Sequence, residues 1–239
     1  MSDIQKKNMK PTTSQAKAAS ETLAAFFADL GEIHKTTVPT TDVTMSEMPD
    51  EIRLPLDTPT ALADFYGAPI APGTRQEGRL KWFNFPREVE PVLFSRNGFP
   101  LTDHDGDGEP DHRCHERVAD SLESALAELH EVIGVDEFRL QGLHVFGGCW
   151  AYRRKTGGRT WSTHAWGAAV DLNPPENGWK RRTTTFSSEA FDIMEKHGWL
   201  SGYRAWGHDA MHFQMAVPAH IVAGSYYAEK GLPKHITKA

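Results

Sequence analysis

"WSTHAWGAAVDLNPP", residues 161–175, sets one histidine seven positions ahead of one aspartate, with small residues between them and two prolines behind. Gly167 and Ala169 permit close backbone approach, so a loop carrying His164 can feed a strand over 168–172 and bring Asp171 back to it. Taken alone, the stretch fits either a cation held between the two groups or a buried His–Asp hydrogen bond at a strand end. On these residues alone the hydrogen bond is the better account.

A second stretch changes that balance. In "GHDAMHFQ", residues 207–214, Asp209 precedes His212 by three. If His212 opens a strand, it shares a face with Gln214 and Ala216, while Phe213, Met215 and Val217 anchor the other face. A catalytic zinc site takes three ligands of the His, Asp or Glu type and keeps one position open. His164, Asp171 and His212 are candidates for such a set, and Asp209 is close enough to accept a proton without having to be a ligand.

The remainder of the chain is consistent with an enzyme-sized globule. Its 239 residues are 39% hydrophobic and 10% aromatic with seven tryptophans, enough for a substantial core. The net charge of -6 and a pI near 6.0, with no long basic stripe, argue against a nucleic-acid partner. No stretch is apolar over the length needed to cross a bilayer. The N-terminus has lysines without the apolar run of a secretion signal, which predicts synthesis in the cytoplasm and action at the cell wall or periplasm after release or dedicated export.

Helical periodicity predicts helices over 14–31, 118–134 and 188–198, the last two closed by Gly134 and Gly198. "AAVDLN", "MHFQMAV" and "GLHVFGG" read as strands. Helices interspersed with short strands predict an α+β fold with a small antiparallel sheet. The Thr- and Pro-rich run before residue 60 reads as a linker, dividing the chain into 1–59 and a main domain over 60–239.

The ordered pair S-x-H-x-x-G-x-A-x-D and D-x-x-H-F-Q resembles the zinc peptidases of the D-alanyl-D-alanine carboxypeptidase and L-alanyl-D-glutamate endopeptidase family. "GGCWAYRRKTGGRTWSTHAWGAAVDLNP", "CHERVADSL" and "FDIMEKHGWLSGYRAWGHDAMHFQMA" extend the likeness, notably to bacteriophage and prophage members, over roughly 60–217. The resemblance implies that His164, Asp171 and His212 bind zinc, that Asp209 is the catalytic base, and that Arg153 grips substrate and polarises the scissile carbonyl. Arg154 competes for that assignment, and Ser162 falls at the site rim. The implied substrate is the stem peptide of bacterial peptidoglycan, and the implied agent a phage-type lysin. The alternative is a non-catalytic zinc- or calcium-stabilised binding or virion module, since the hedgehog signalling domain shares the fold by resemblance.

Two features depart from that core. "DHDGDGEPDH", residues 103–112, reads either as a short calcium loop, with side-chain oxygens from Asp103, Asp105, Asp107 and Asp111 and the carbonyl of Glu109, or as a solvated acidic turn; Cys114 stands where an EF-hand would have glutamate. Cys114 and Cys149 both lie in family-like segments, and the sequence leaves open whether they form a disulfide.

Overall fold

The computed structural model describes residues 51–89, 91–93 and 113–239. The helix expected over 14–31 and the acidic loop 103–112 lie outside the described residues. The chain from Pro49 to Ala239 is one compact unit, so it begins before the boundary expected near residue 60. The reason is β1 (Ile52–Leu54), which pairs in parallel with β9 (Ile236–Lys238), with Leu54 buried beneath it. A composition rich in threonine and proline conceals this strand.

After β1 come α1 (Pro59–Tyr66), β2 (Leu80–Trp82), β3 (Val92–Leu93), β4 (Arg113–His115) and the long α2 (Ala119–Leu140). β5 (Val145–Phe146), β6 (Ala169–Asp171), α3 (Pro174–Asn177), α4 (Ser188–Lys196), β7 (Leu200–Ser201), α5 (Gly202–Trp206), β8 (His212–Gln214) and α6 (Tyr226–Lys230) complete the order before β9. The fold is α+β. β6, β8 and β7 form a three-stranded antiparallel sheet with β8 in the middle, while β2–β4 and β3–β5 are separate two-stranded pairs.

The helices obey their sequence signals. Thr58 caps α1 through its hydroxyl with Pro59 at the first turn, and the Ser187 hydroxyl accepts from Ala190 N to cap α4. Gly134 takes φ 79°, interrupting α2 where the apolar stripe predicts an end, and the helix resumes to Leu140. Leu122, Leu126 and Leu129 on that stripe are fully buried, each stabilising the fold by about 1.5–3 kcal/mol. α2 docks on α4 and the turn after it, where Ser121 donates to His197 O at 2.6 Å and Glu128 meets Lys196 and His197 at 2.7 Å each.

Register in the three-stranded sheet sets which side chains share a face. Asp171 lies directly opposite His212, Val170 opposite Phe213 and Ala169 opposite Gln214. Side chains alternate across a strand, so Val170 and Phe213 enter the core while Asp171 and His212 share the other face.

Candidate metal centre

His164 reaches that face from a 3₁₀ turn, Thr163–Trp166, closed by Gly167 in the left-handed region at φ 66°. A side chain at Gly167 would also press on the backbone nitrogen of His115 at 2.9 Å, so glycine is required there for two reasons. Gly147 plays a comparable part beside Asp171. Its backbone nitrogen donates to Asp171 O at 2.7 Å, and a Cβ there would meet Pro174 at 2.3 Å.

Three atoms converge. His164 Nε2 lies 3.2 Å from Asp171 Oδ1 and 3.2 Å from His212 Nδ1, and His212 Nδ1 is 3.2 Å from Asp171 Oδ1. The outer nitrogens are occupied. His164 Nδ1–H donates to the Cys149 carbonyl at 2.8 Å. Gln214 donates its amide to Ala216 O at 3.0 Å, which turns Gln214 Oε1 toward His212 to accept its Nε2–H at 3.1 Å. In the neutral rings, therefore, two nitrogen lone pairs and a carboxylate oxygen point at one another, a triangle of acceptors with no donor.

A cation satisfies such a triangle. Ligands bonded tetrahedrally to zinc at about 2.0–2.1 Å lie about 3.3 Å from each other, which the observed edges match. The His2Asp donor set also suits zinc, and both imidazoles are held through their second nitrogen, as metal-binding histidines usually are. All three residues are buried.

The charges respond to this crowding. Burial disfavours charge on Asp171, but the charge of His164 and the hydrogen bonds that both histidines give when protonated outweigh it and hold its pKa well below the usual carboxylate range. Burial likewise opposes charge on His212, yet the bond and charge of Asp171, aided by Asp209, raise its pKa. Protons and a cation thus compete for one place.

The triangle opens into a cleft of about 330 Å³, whose wall includes Asp57, Arg153, Lys155, Ser162, Trp179, Trp206, His208 and Asp209. Asp209 is buried at 9% exposure, and its Oδ1 has no hydrogen-bond partner among the described residues. Burial, with the Asp171 charge adding to it, raises the Asp209 pKa against the opposing histidines. Its backbone sits at φ 67°, a conformation uncommon for a non-glycine residue and one that concentrates at functional sites.

Arg153 and Arg154 separate cleanly. Arg153 lines the cleft, whereas the exposed Arg154 lies over the Trp161 ring at 4.7 Å and donates to the Arg159 carbonyl, and it does not line the cleft. Ser162 is buried at the rim. Trp206 stacks on His212 with ring centroids 5.8 Å apart, a cleft wall, while Trp166 and Trp199 are core. Cys114 and Cys149 form a disulfide, so the carbonyl that orients His164 belongs to a cross-linked residue.

Residues 156–215 match the profile of the D-alanyl-D-alanine carboxypeptidase family. The matched segment, about a quarter of the chain, contains His164, Asp171, Asp209 and His212. No curated protein and no solved structure gives a match.

Several cleft residues escape a reading of the sequence. Asp57 falls in the stretch whose composition suggests a linker, and Lys155 carries no pattern. His208, adjacent to Asp209, lines the cleft although a surface position accounts equally well for a lone histidine there. The dipeptide "DT" before Pro59 is a helix-start signal that could have located Asp57 at a folded junction.

Proposed function

We propose that the chain is a zinc metallopeptidase that hydrolyses an alanyl bond in peptidoglycan stem peptides, either D-alanyl-D-alanine or L-alanyl-D-glutamate, and serves as a phage-type lysin. The observation that carries this is the acceptor triangle of His164, Asp171 and His212 opening on a cleft beside the buried Asp209, whose Oδ1 meets no hydrogen-bond partner among the described residues. The match of residues 156–215 to a D-alanyl-D-alanine carboxypeptidase profile supports the peptidase class.

His164, His212 and Asp171 would hold the zinc. Zinc bound there supplies a Lewis acid that polarises the scissile carbonyl and makes water acidic near neutral pH. Asp209 takes the proton of the attacking water and returns it to the leaving amine. Its burial serves this role, because a carboxylate raised toward the working pH holds a proton long enough to transfer it. Arg153 stabilises negative charge growing on the carbonyl oxygen, an effect of about 3–4 kcal/mol per well-placed donor. Arg153 puts a cation in the cleft wall, which suits the carboxylate borne by either bond's product side.

The disulfide favours action in an oxidising envelope. Among the described residues no helix is long and apolar enough to cross a membrane.

Mass spectrometry of purified peptidoglycan after digestion by the zinc-loaded protein tests the reading. Loss of a terminal alanine, or release of stem peptides lacking their first alanine, is the expected product. Asp209→Asn is expected to keep zinc and lose about 10²–10⁴-fold in rate. No product from zinc-loaded wild type would favour a binding module instead.

A further inference from the structure

A chain of side chains runs from the start of the compact unit to the metal centre. Lys155 Nζ lies 2.6 Å from Asp57 Oδ2, and Thr163 Oγ1 lies 3.0 Å from Asp57 Oδ1. The same hydroxyl is 3.2 Å from Gln214 Oε1, the atom that accepts the His212 Nε2–H. Asp57, Thr163, Gln214 and His212 are all buried.

Backbone bonds fix the far end. Asp57 N donates to Val217 O and Val217 N to Pro55 O, each at 2.8 Å, so residues 55–57 are tied to the chain leaving β8, the strand that carries His212. Thr163 is the neighbour of His164. Its hydroxyl therefore joins the turn bearing one donor to the strand bearing another, and Asp57 is the anchor of that hydroxyl.

Structural economy does not explain a carboxylate in this place. A side chain only 5% exposed loses most of its hydration, and a lone hydrophobic contact would close the junction at less cost. What the carboxylate adds is direction. The hydroxyl has one proton and two acceptors within reach, and Gln214 Oε1 must stay turned toward His212 for Nδ1 to face the cation. Asp57, paired with Lys155, fixes the place of the Thr163 hydroxyl, whose one proton is shared between the Asp57 and Gln214 oxygens in a three-centre bond.

We infer that Asp57 is a positioning residue for the metal centre, acting through Thr163 and Gln214 to hold His212 with its Nδ1 toward the ion, and that Lys155 holds the Asp57 carboxylate in place. This rests on the zinc reading of the site. Groups that orient a ligating histidine typically change metal affinity about 10–100-fold when removed.

The test is zinc affinity by chelator competition, together with the visible spectrum of the cobalt-substituted protein, which reports ligand geometry without turnover. Asp57→Asn and Thr163→Val are expected to bind zinc at least about tenfold more weakly with an altered cobalt spectrum. Thr163→Ser, which keeps the hydroxyl, restores both. Lys155→Met, at the half-exposed end of the chain, folds even if Asp57→Asn does not, and is expected to weaken zinc severalfold. Ser121→Ala, which removes its partly buried bonds with His197 O and Trp199 Nε1 elsewhere, lowers thermal stability and leaves zinc affinity unchanged. Wild-type affinity and spectrum in Asp57→Asn, Thr163→Val and Lys155→Met overturn the inference while leaving the zinc site intact. A wild-type protein that binds no zinc overturns both.

Discussion

Two buried polar clusters in this fold are built on opposite plans. Around Glu195 every acceptor meets a donor. Arg204 Nη1 donates to Glu195 Oε2 at 2.7 Å, the Tyr227 hydroxyl to Glu195 Oε1 at 2.6 Å, and Arg204 Nη2 to Ser188 O at 3.1 Å. Tyr227 in turn accepts from Ser201 N at 3.0 Å. Around Asp171, by contrast, three acceptors face inward and their donors all point outward, to Cys149 O and Gln214. The first cluster is complete with protein atoms and staples α4, α5 and α6 together. The second is complete only with protons or a cation, and that deficit marks it as a site rather than a support.

Removing one member from each cluster should therefore have opposite consequences. His212→Ala is expected to abolish zinc binding and peptide cleavage together, while the metal-free protein unfolds at a temperature close to the metal-free wild type. Arg204→Ala should leave Glu195 buried without its cation and destabilise the fold by about 3–5 kcal/mol, read by denaturant melts, with zinc affinity of the folded fraction retained. If instead His212→Ala collapses the metal-free fold, the two clusters are not different in kind.

The disulfide couples the two kinds of effect. Cys114→Ser with Cys149→Ser opens a cross-link across 35 residues and is expected to cost about 4 kcal/mol in the chain-entropy account. Because the Cys149 carbonyl orients His164, zinc affinity should fall as well. A loss of stability with zinc affinity untouched would mean that the carbonyl stays in place without the cross-link.

The smallest expected effect is on pH. Zinc needs His212 neutral, and the His212 pKa lies above its ordinary value, so each pH unit below it should weaken apparent zinc affinity by up to about tenfold. In the metal-free protein the sign is reversed. A raised histidine pKa contributes stability below the unfolded value near 6.5, and that contribution is lost as pH rises through the folded value. The gain in melting temperature on adding zinc should therefore grow from pH 6 to pH 8. A gain independent of pH would mean that zinc does not displace the proton from His212.

Much of the site was legible in the residues because strand alternation is rigid. Once His212 opens a strand and Asp171 closes one, antiparallel pairing leaves few registers, and the observed one sets them face to face. Gly134 and Gly198 likewise marked helix boundaries through backbone freedom alone. Asp57 was illegible for the opposite reason. Its role depends on the pairing of residues 55–57 with Val217, just after β8 and far along the chain, and no local pattern records a contact so distant. The choice between Arg153 and Arg154 also needed the fold, because one-residue alternation along an extended segment decides it and nothing local sets its phase.

That the Asp171 cluster holds a cation is tested most directly by titrating zinc into the metal-free protein and following the heat. Saturable binding of one equivalent, abolished in Asp171→Ala and unaffected in Arg204→Ala, is the predicted result. Absence of saturable binding, or binding that survives Asp171→Ala at wild-type affinity, would contradict it.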